Sequence, residues 1–172
     1  MTIKINLLLL LSLSLFINGY GQTKLPVDEE GNIKFDSIIH IDSVQALDLY
    51  NKALYWFGKN YKSPKDAIKM QIPDSYTIIA NGITDLIWPM PLGDRKSKLG
   101  FKITIACKDN RYRFTIEDLM FYDISYGAYP SLISTAQKSK TKGAEKARHN
   151  ILLSMKEVIA SLKNEMTKKE NW

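Results

Sequence analysis

The chain has 172 residues, 45% of them hydrophobic and 24% charged, with one cysteine, two histidines and a formal net charge of +6. A lone cysteine excludes a disulfide framework, and with two distant histidines it offers no set of closely spaced zinc ligands. The mild positive excess is not gathered into the basic block that a nucleic-acid binder concentrates on one face, and the length suits a single domain.

The first element reads as an export signal. Lys4 precedes an apolar run from Ile5 to Ile17, and small or polar residues follow at Asn18 to Gly21. These are the three zones of a secretory signal peptide. The apolar run is shorter than the roughly 20 residues that span a bilayer. Gly19 and Gly21 flank Tyr20 in a small-x-small pattern, which places cleavage between Gly21 and Gln22. Lipid attachment would need a cysteine there, and the single cysteine is Cys107. The expectation is a mature chain without a membrane span or lipid anchor, periplasmic or secreted. An uncleaved inner-membrane helix is the competing reading.

Residues 22–32 form a polar arm with a turn signal at Glu30-Gly31-Asn32. Ile33, Phe35, Ile39 and Ile41 then alternate with Lys34, Asp36 and His40 as a half-buried strand, with Ser37 as its weak inward position. Asp42 and Gln45 stand at capping-box spacing, with Ser43 as an alternative cap. The helix they open carries Leu47, Tyr50, Leu54, Phe57 and Tyr61 on one stripe, places Trp56 at its edge, and ends before Pro64.

Ile68, Met70 and Ile72 alternate in a next strand, and after Pro73-Asp74-Ser75 another runs from Tyr76 to Ile87. Asn81-Gly82 within it reads as a hairpin or, preferably, a glycine-marked bulge. Trp88 to Lys98, with Pro89, Pro91 and Gly93, reads as a loop.

Phe101, Ile103, Ile105 and Cys107 alternate with polar residues, as do Tyr112, Phe114 and Ile116 beyond Asp109-Asn110. A two-residue type I′ turn there pairs Lys108 with Arg111, Cys107 with Tyr112, Ile105 with Phe114, Ile103 with Ile116 and Lys102 with Glu117. Residues 123–142 show no period and read as a long link. A final amphipathic helix spans residues 143–167, with Ile151, Met155, Val158, Leu162 and Met166 on its stripe. The folded domain is thus 33–167, followed by a polar tail at 168–172. Its order is β-α-β-β-β-β-α, an α+β fold with one antiparallel sheet and two helices packed on one face.

Leu25-Pro26-Val27-Asp28-Glu29-Glu30-Gly31, Ala53-Leu54-Tyr55-Trp56-Phe57, Lys108-Asp109-Asn110-Arg111-Tyr112-Arg113-Phe114 and Ile159-Ala160-Ser161-Leu162-Lys163 together resemble a bacterial domain-of-unknown-function family with a TATA-binding-protein-like fold. The resemblance implies a single curved antiparallel sheet with two helices on its convex side. It implies no activity and carries over no catalytic residue. The Asp109-Asn110 turn and the Tyr122 to Pro130 stretch depart from the usual pattern of that family.

Chemistry is sparse. His40 and Asp36 share the open face of the first strand and form the one candidate proton-transfer couple, which would suit a small hydrolase. His149 reads as a surface residue and Cys107 as a buried small hydrophobe. No phosphate loop, cofactor signature or metal site emerges, so no cofactor is expected. The better candidate is the open sheet face, where Lys34, His40, Lys102, Lys108, Arg111 and Arg113 accompany Thr104, Ala106 and Thr115. Tyr122, Tyr126 and Tyr129 add a second contact region. The sequence therefore suggests a non-enzymatic module for an envelope protein or polysaccharide, with nucleic acid the least favoured partner and the oligomeric state open.

Overall fold

The computed structural model describes residues 23–123 and 127–168. The signal-peptide reading, its cleavage site at Gly21 and Gln22, Tyr126 and residues 169–172 lie outside these. In chain order the elements are β1 (Phe35–His40), α1 (Ala46–Asn60), α2 (Pro64–Ala67), β2 (Ile68–Ile72), β3 (Thr77–Trp88), β4 (Arg95–Lys108), β5 (Arg111–Asp123), β6 (Gly127–Tyr129), α3 (Pro130–Lys138) and α4 (Lys142–Thr167). The strands form one antiparallel sheet in the order β1-β5-β4-β3-β2, with β6 beside the end of β5. This is the expected α+β architecture, with two shorter helices, a 3-10 turn at Pro73–Ser75 and a sixth strand added.

The β4–β5 hairpin has the register that its alternation dictates: Lys108 opposite Arg111, Cys107 opposite Tyr112, Ile105 opposite Phe114 and Ile103 opposite Ile116. Its turn differs from expectation. Only Asn110 has a positive φ, 62°, whereas type I′ requires that at both central residues.

The tip is shaped by what it docks on. Asn110 N–H donates to the Val44 carbonyl at 2.9 Å, and Ile41 N–H donates to the Asn110 carbonyl at 2.8 Å. The Val44 amide donates to Asn110 Oδ1 at 3.2 Å, and the Ala46 amide to Asp109 Oδ1 at 2.8 Å. Asp109 thus satisfies the first turn of α1 from across the fold. The expected local caps do not serve: Gln45 holds the N-cap position without a side-chain bond, and Ser43 sits in a turn at φ 61°. Asp109→Ala should cost about 1 kcal/mol, the usual worth of an N-cap acceptor, in urea unfolding, whereas Asp109→Asn keeps the acceptor and should cost less.

Helix α1 buries Ala46, Leu49, Tyr50, Ala53, Trp56 and Phe57. The stripe is rotated from the expected one, leaving Leu47 exposed and bringing Trp56 fully into the core. Small Ala46 and Ala53 let the helix approach the sheet, and the indole N–H has a partner, Ser161 Oγ at 3.0 Å.

Gly82 marks neither a hairpin nor a bulge, because β3 pairs with β4 without a shift from Thr77 to Trp88. Its missing side chain makes room for a ring: a Cβ there would lie 2.2 Å from Phe101. The register shifts lie instead at Ile68/Met70 of β2 against β3 and at Gly100/Lys102 of β4 against β5, where Asp118 takes a φ of 54°.

Two expected loops are ordered. β4 begins at Arg95, paired with Trp88, so only residues 89–94 link the strands. Ser97 occupies a buried position there and interrupts the apolar alternation that would have revealed the strand. The presumed link at 123–142 holds β6 and α3, whose Ile133 and Ala136 are buried. One core fills the space between the sheet and the helices, with Leu49, Trp56, Phe57, Ile78, Leu86, Ile103, Ile105, Ile151 and Met155 among its largest members.

Candidate functional site

The helices cover one face of the sheet, and strand alternation sends every second side chain to the other. The pairing fixes which residues meet there. His40, Arg111 and Lys108 form a row at the hairpin end. Ile38, Arg113, Ala106, Thr77 and Ile72 form the next, followed by Asp36, Thr115, Thr104, Ile79 and Met70. Farther along, Glu117, Lys102 and Asn81 lie side by side.

The six candidate groups divide into two sets. Arg113 donates from Nε and Nη2 to the two Asp36 oxygens at 2.8 and 2.7 Å, and Thr115 Oγ1 donates to Asp36 Oδ1 at 2.8 Å. The Arg113 hydrogen bonds hold the Asp36 carboxyl below its usual range, against the opposing pull of partial burial. Lys102 lies 3.0 Å from Glu117 and 3.8 Å from Asp118, and Lys34 lies 3.9 Å from Glu117. Hydrogen bonding to Glu117 raises the Lys102 ammonium pKa. Lys34, Lys102 and Arg113 are therefore neutralised in place. Lys108 and Arg111, by contrast, face each other across the ladder with His40 beside them, and directly opposed like charges disfavour pairing.

His40 and Asp36 are not brought together. They lie two same-face steps apart, about 13 Å along an extended strand, and Asp36 is occupied by Arg113 and Thr115. His149 is exposed on α4. Cys107 is 2% exposed, and burial pushes its thiol up to about 12, which suits a core side chain. Among the described residues, no group of three or more His, Cys, Asp or Glu could hold a metal ion.

The sequence reading missed the apolar part of this face. Ile38 is 54% exposed, Met70 53%, Ile83 52% and Ile87 53%. The signal lay in β3, where Ile78, Ala80 and Leu86 point inward while Ile79, Ile83 and Ile87 point outward. A strand apolar on both sides is more than one core requires.

Of the tyrosines, Tyr122 lies over Gly100, where a Cβ would stand 2.4 Å from its ring. Tyr129 is 39% exposed on β6. Among the described residues, no helix is long and apolar enough to cross a membrane.

The fold and sequence have counterparts. A TBP-like protein from Parabacteroides distasonis is 19% identical and superposes with a TM-score of 0.67, the match covering 84% of this chain and 98% of that one. A DUF4468 family protein from Bacteroides ovatus is 16% identical, also at a TM-score of 0.67, with 86% and 93% covered. At these identities the likeness speaks for the fold alone. No curated protein matches the chain. The family model described as "Domain of unknown function (DUF4468) with TBP-like fold" matches residues 35–122, just over half of the sequence, and the chain belongs to that family.

Proposed function

We propose that this protein is an exported, non-enzymatic interaction module that binds an envelope protein on the uncovered face of its sheet. The observation that carries the reading is the pair of large aliphatic side chains standing on that face in β3, Ile83 and Ile87, each more than half exposed. Ile83 and Ile87 flank Asp85 on the outward side of β3, and exposed apolar groups beyond what one core requires favour a protein contact. An aliphatic patch suits another polypeptide better than a polysaccharide, whose hydroxyls need hydrogen-bonding partners. Nucleic acid is a poorer fit, since it is held by free cations and Lys34, Lys102 and Arg113 are bound to carboxylates. Export rests on the order of Lys4, the Ile5 to Ile17 run and the Gly19-Tyr20-Gly21 segment. Tyr122, over Gly100, would extend the contact at the far end of β5, whereas Tyr129 pairs with inward Phe121 and lies on the other face.

In situ cross-linking in the envelope of the host, followed by purification, tests the reading. Ile83→Lys together with Ile87→Lys should abolish the cross-linked partner bands. Exposed positions of this kind change stability by only about 0.5 kcal/mol, so unfolding should be nearly unaltered. Partner bands that survive the double substitution would sink the proposal for this face.

A further inference from the structure

The edge of the sheet at β1 is unusual in a way independent of the face. β1 ends the strand order and pairs only with β5. Just before it the arm closes on the same stretch of chain: Val27 bridges to Ile33, and the Lys34 amide donates to the Pro26 carbonyl at 3.0 Å. The arm then leaves, with Leu25 buried in the core. From Asp36 to His40 the outer edge has no strand partner among the described residues. Bare edges are normally blunted by charge, proline or a bulge. This one has Ile38, 54% exposed, at its centre.

We infer that a second copy of this chain completes this edge, the two β1 strands pairing antiparallel about a two-fold axis at Ile38 to make one continuous sheet. An isologous contact must be self-complementary, and the sequence of β1 is so in this register. Ile38 covers Ile38 of the second copy. Asp36, held by Arg113 and Thr115 of its own chain, falls opposite His40 of the second copy on the uncovered face, so no like charges oppose each other at either end.

On the covered face, Ser37 falls opposite Ile39 of the second copy. Beside Ser37 lies an open cleft of about 950 Å³ in which Phe35, Phe114 and Ile159 stand next to the acidic arm residues Asp28, Glu29 and Glu30. Ser37 is the small inward residue of β1, and the incoming isoleucine would occupy the space it leaves. The free length is also symmetric. The arm closes the edge at Lys34, and the chain turns away at Asp42-Ser43, where Ser43 has a φ of 61°. Both limits are equally far from Ile38, so a register centred there gives both copies their full pairing.

Sedimentation of the protein purified from its host, with Ile38→Lys and Ile38→Cys variants, tests this. The unsubstituted protein should sediment as a dimer. Ile38→Lys sets two ammonium groups against each other and should give a monomer with an unchanged circular dichroism spectrum. Directly opposed antiparallel residues have Cα atoms about 4.5–5.5 Å apart, within the range of about 4.4–6.8 Å that a disulfide bridges. Ile38→Cys should therefore cross-link two chains under a thiol oxidant, whereas the parent, with only buried Cys107, should not. A parent that stays monomeric at its highest soluble concentration, an Ile38→Lys variant as dimeric as the parent, or a failure of Ile38→Cys to cross-link would each overturn the inference. The double substitution at Ile83 and Ile87 should leave the dimer intact, which separates this contact from the binding face.

Discussion

Arg148→Met should lower the free energy of unfolding by about 3–5 kcal/mol, read from urea or thermal denaturation, a loss in the range reserved for broken buried polar networks. Arg148 lies on α4 and is 5% exposed. Its Nε donates to the Thr23 carbonyl at 2.6 Å, and its Nη1 donates to the Ala136 and Ser139 carbonyls at 2.6 and 2.7 Å. Hydrogen bonds from a charged donor contribute about 1.5–3 kcal/mol each. Their sum is partly offset because methionine spares the cost of burying a guanidinium.

The guanidinium ties three pieces together: the arm, the end of α3 and the long helix. Arg148→Lys has one compact ammonium, which cannot present the same planar fork, and should fall between parent and Arg148→Met. The arm should also become more sensitive to protease in Arg148→Met. A loss below about 1 kcal/mol, the worth of an ordinary hydrogen bond, would show that the network does not hold these pieces.

Trp56→Ala should have a comparable effect, about 3–5 kcal/mol, as large aromatic truncations in cores do. The ring is 2% exposed. It packs edge-on against Phe57 and Tyr61, with centroids 4.9 and 5.8 Å away. Trp56→Phe should recover much of the loss, because Ser161 keeps a second partner in Asn60 Oδ1 at 3.3 Å and is not orphaned. Equal destabilisation by alanine and phenylalanine would instead assign the effect to the indole N–H rather than to volume.

What the sequence disclosed and what it hid differ by physical cause. The β4–β5 hairpin was legible residue by residue, because a slip by one position would turn every inward side chain outward. The stripe of α4 was legible because Ile151, Met155 and Leu162 recur at helical spacing over many turns. The start of α1 was not, since its acceptor is Asp109, 63 residues away in sequence, and local capping rules see only neighbours.

The strand at Arg95 was hidden by Ser97, a polar residue in a buried place. Helix α3 was hidden because it is short and buries little beyond Ile133 and Ala136. For the site, sequence located the cations but could not show that Asp36 and Glu117 neutralise three of them. The exposed isoleucines were in plain view in β3, yet period alone does not say which side of a strand a helix will cover.

The hairpin tip that finishes the first turn of α1 bears on the order of events during synthesis. Residues 41–46 leave the ribosome long before Asp109 and Asn110, and until then the amides of Val44 and Ala46 lack the acceptors that the folded protein gives them. Isolated helices of this length are marginal in water, so the early part of the chain waits for the late part. A product released before residue 109 would therefore carry a first helix without these acceptors and without β5 to pack on, marginal by itself and open to proteases.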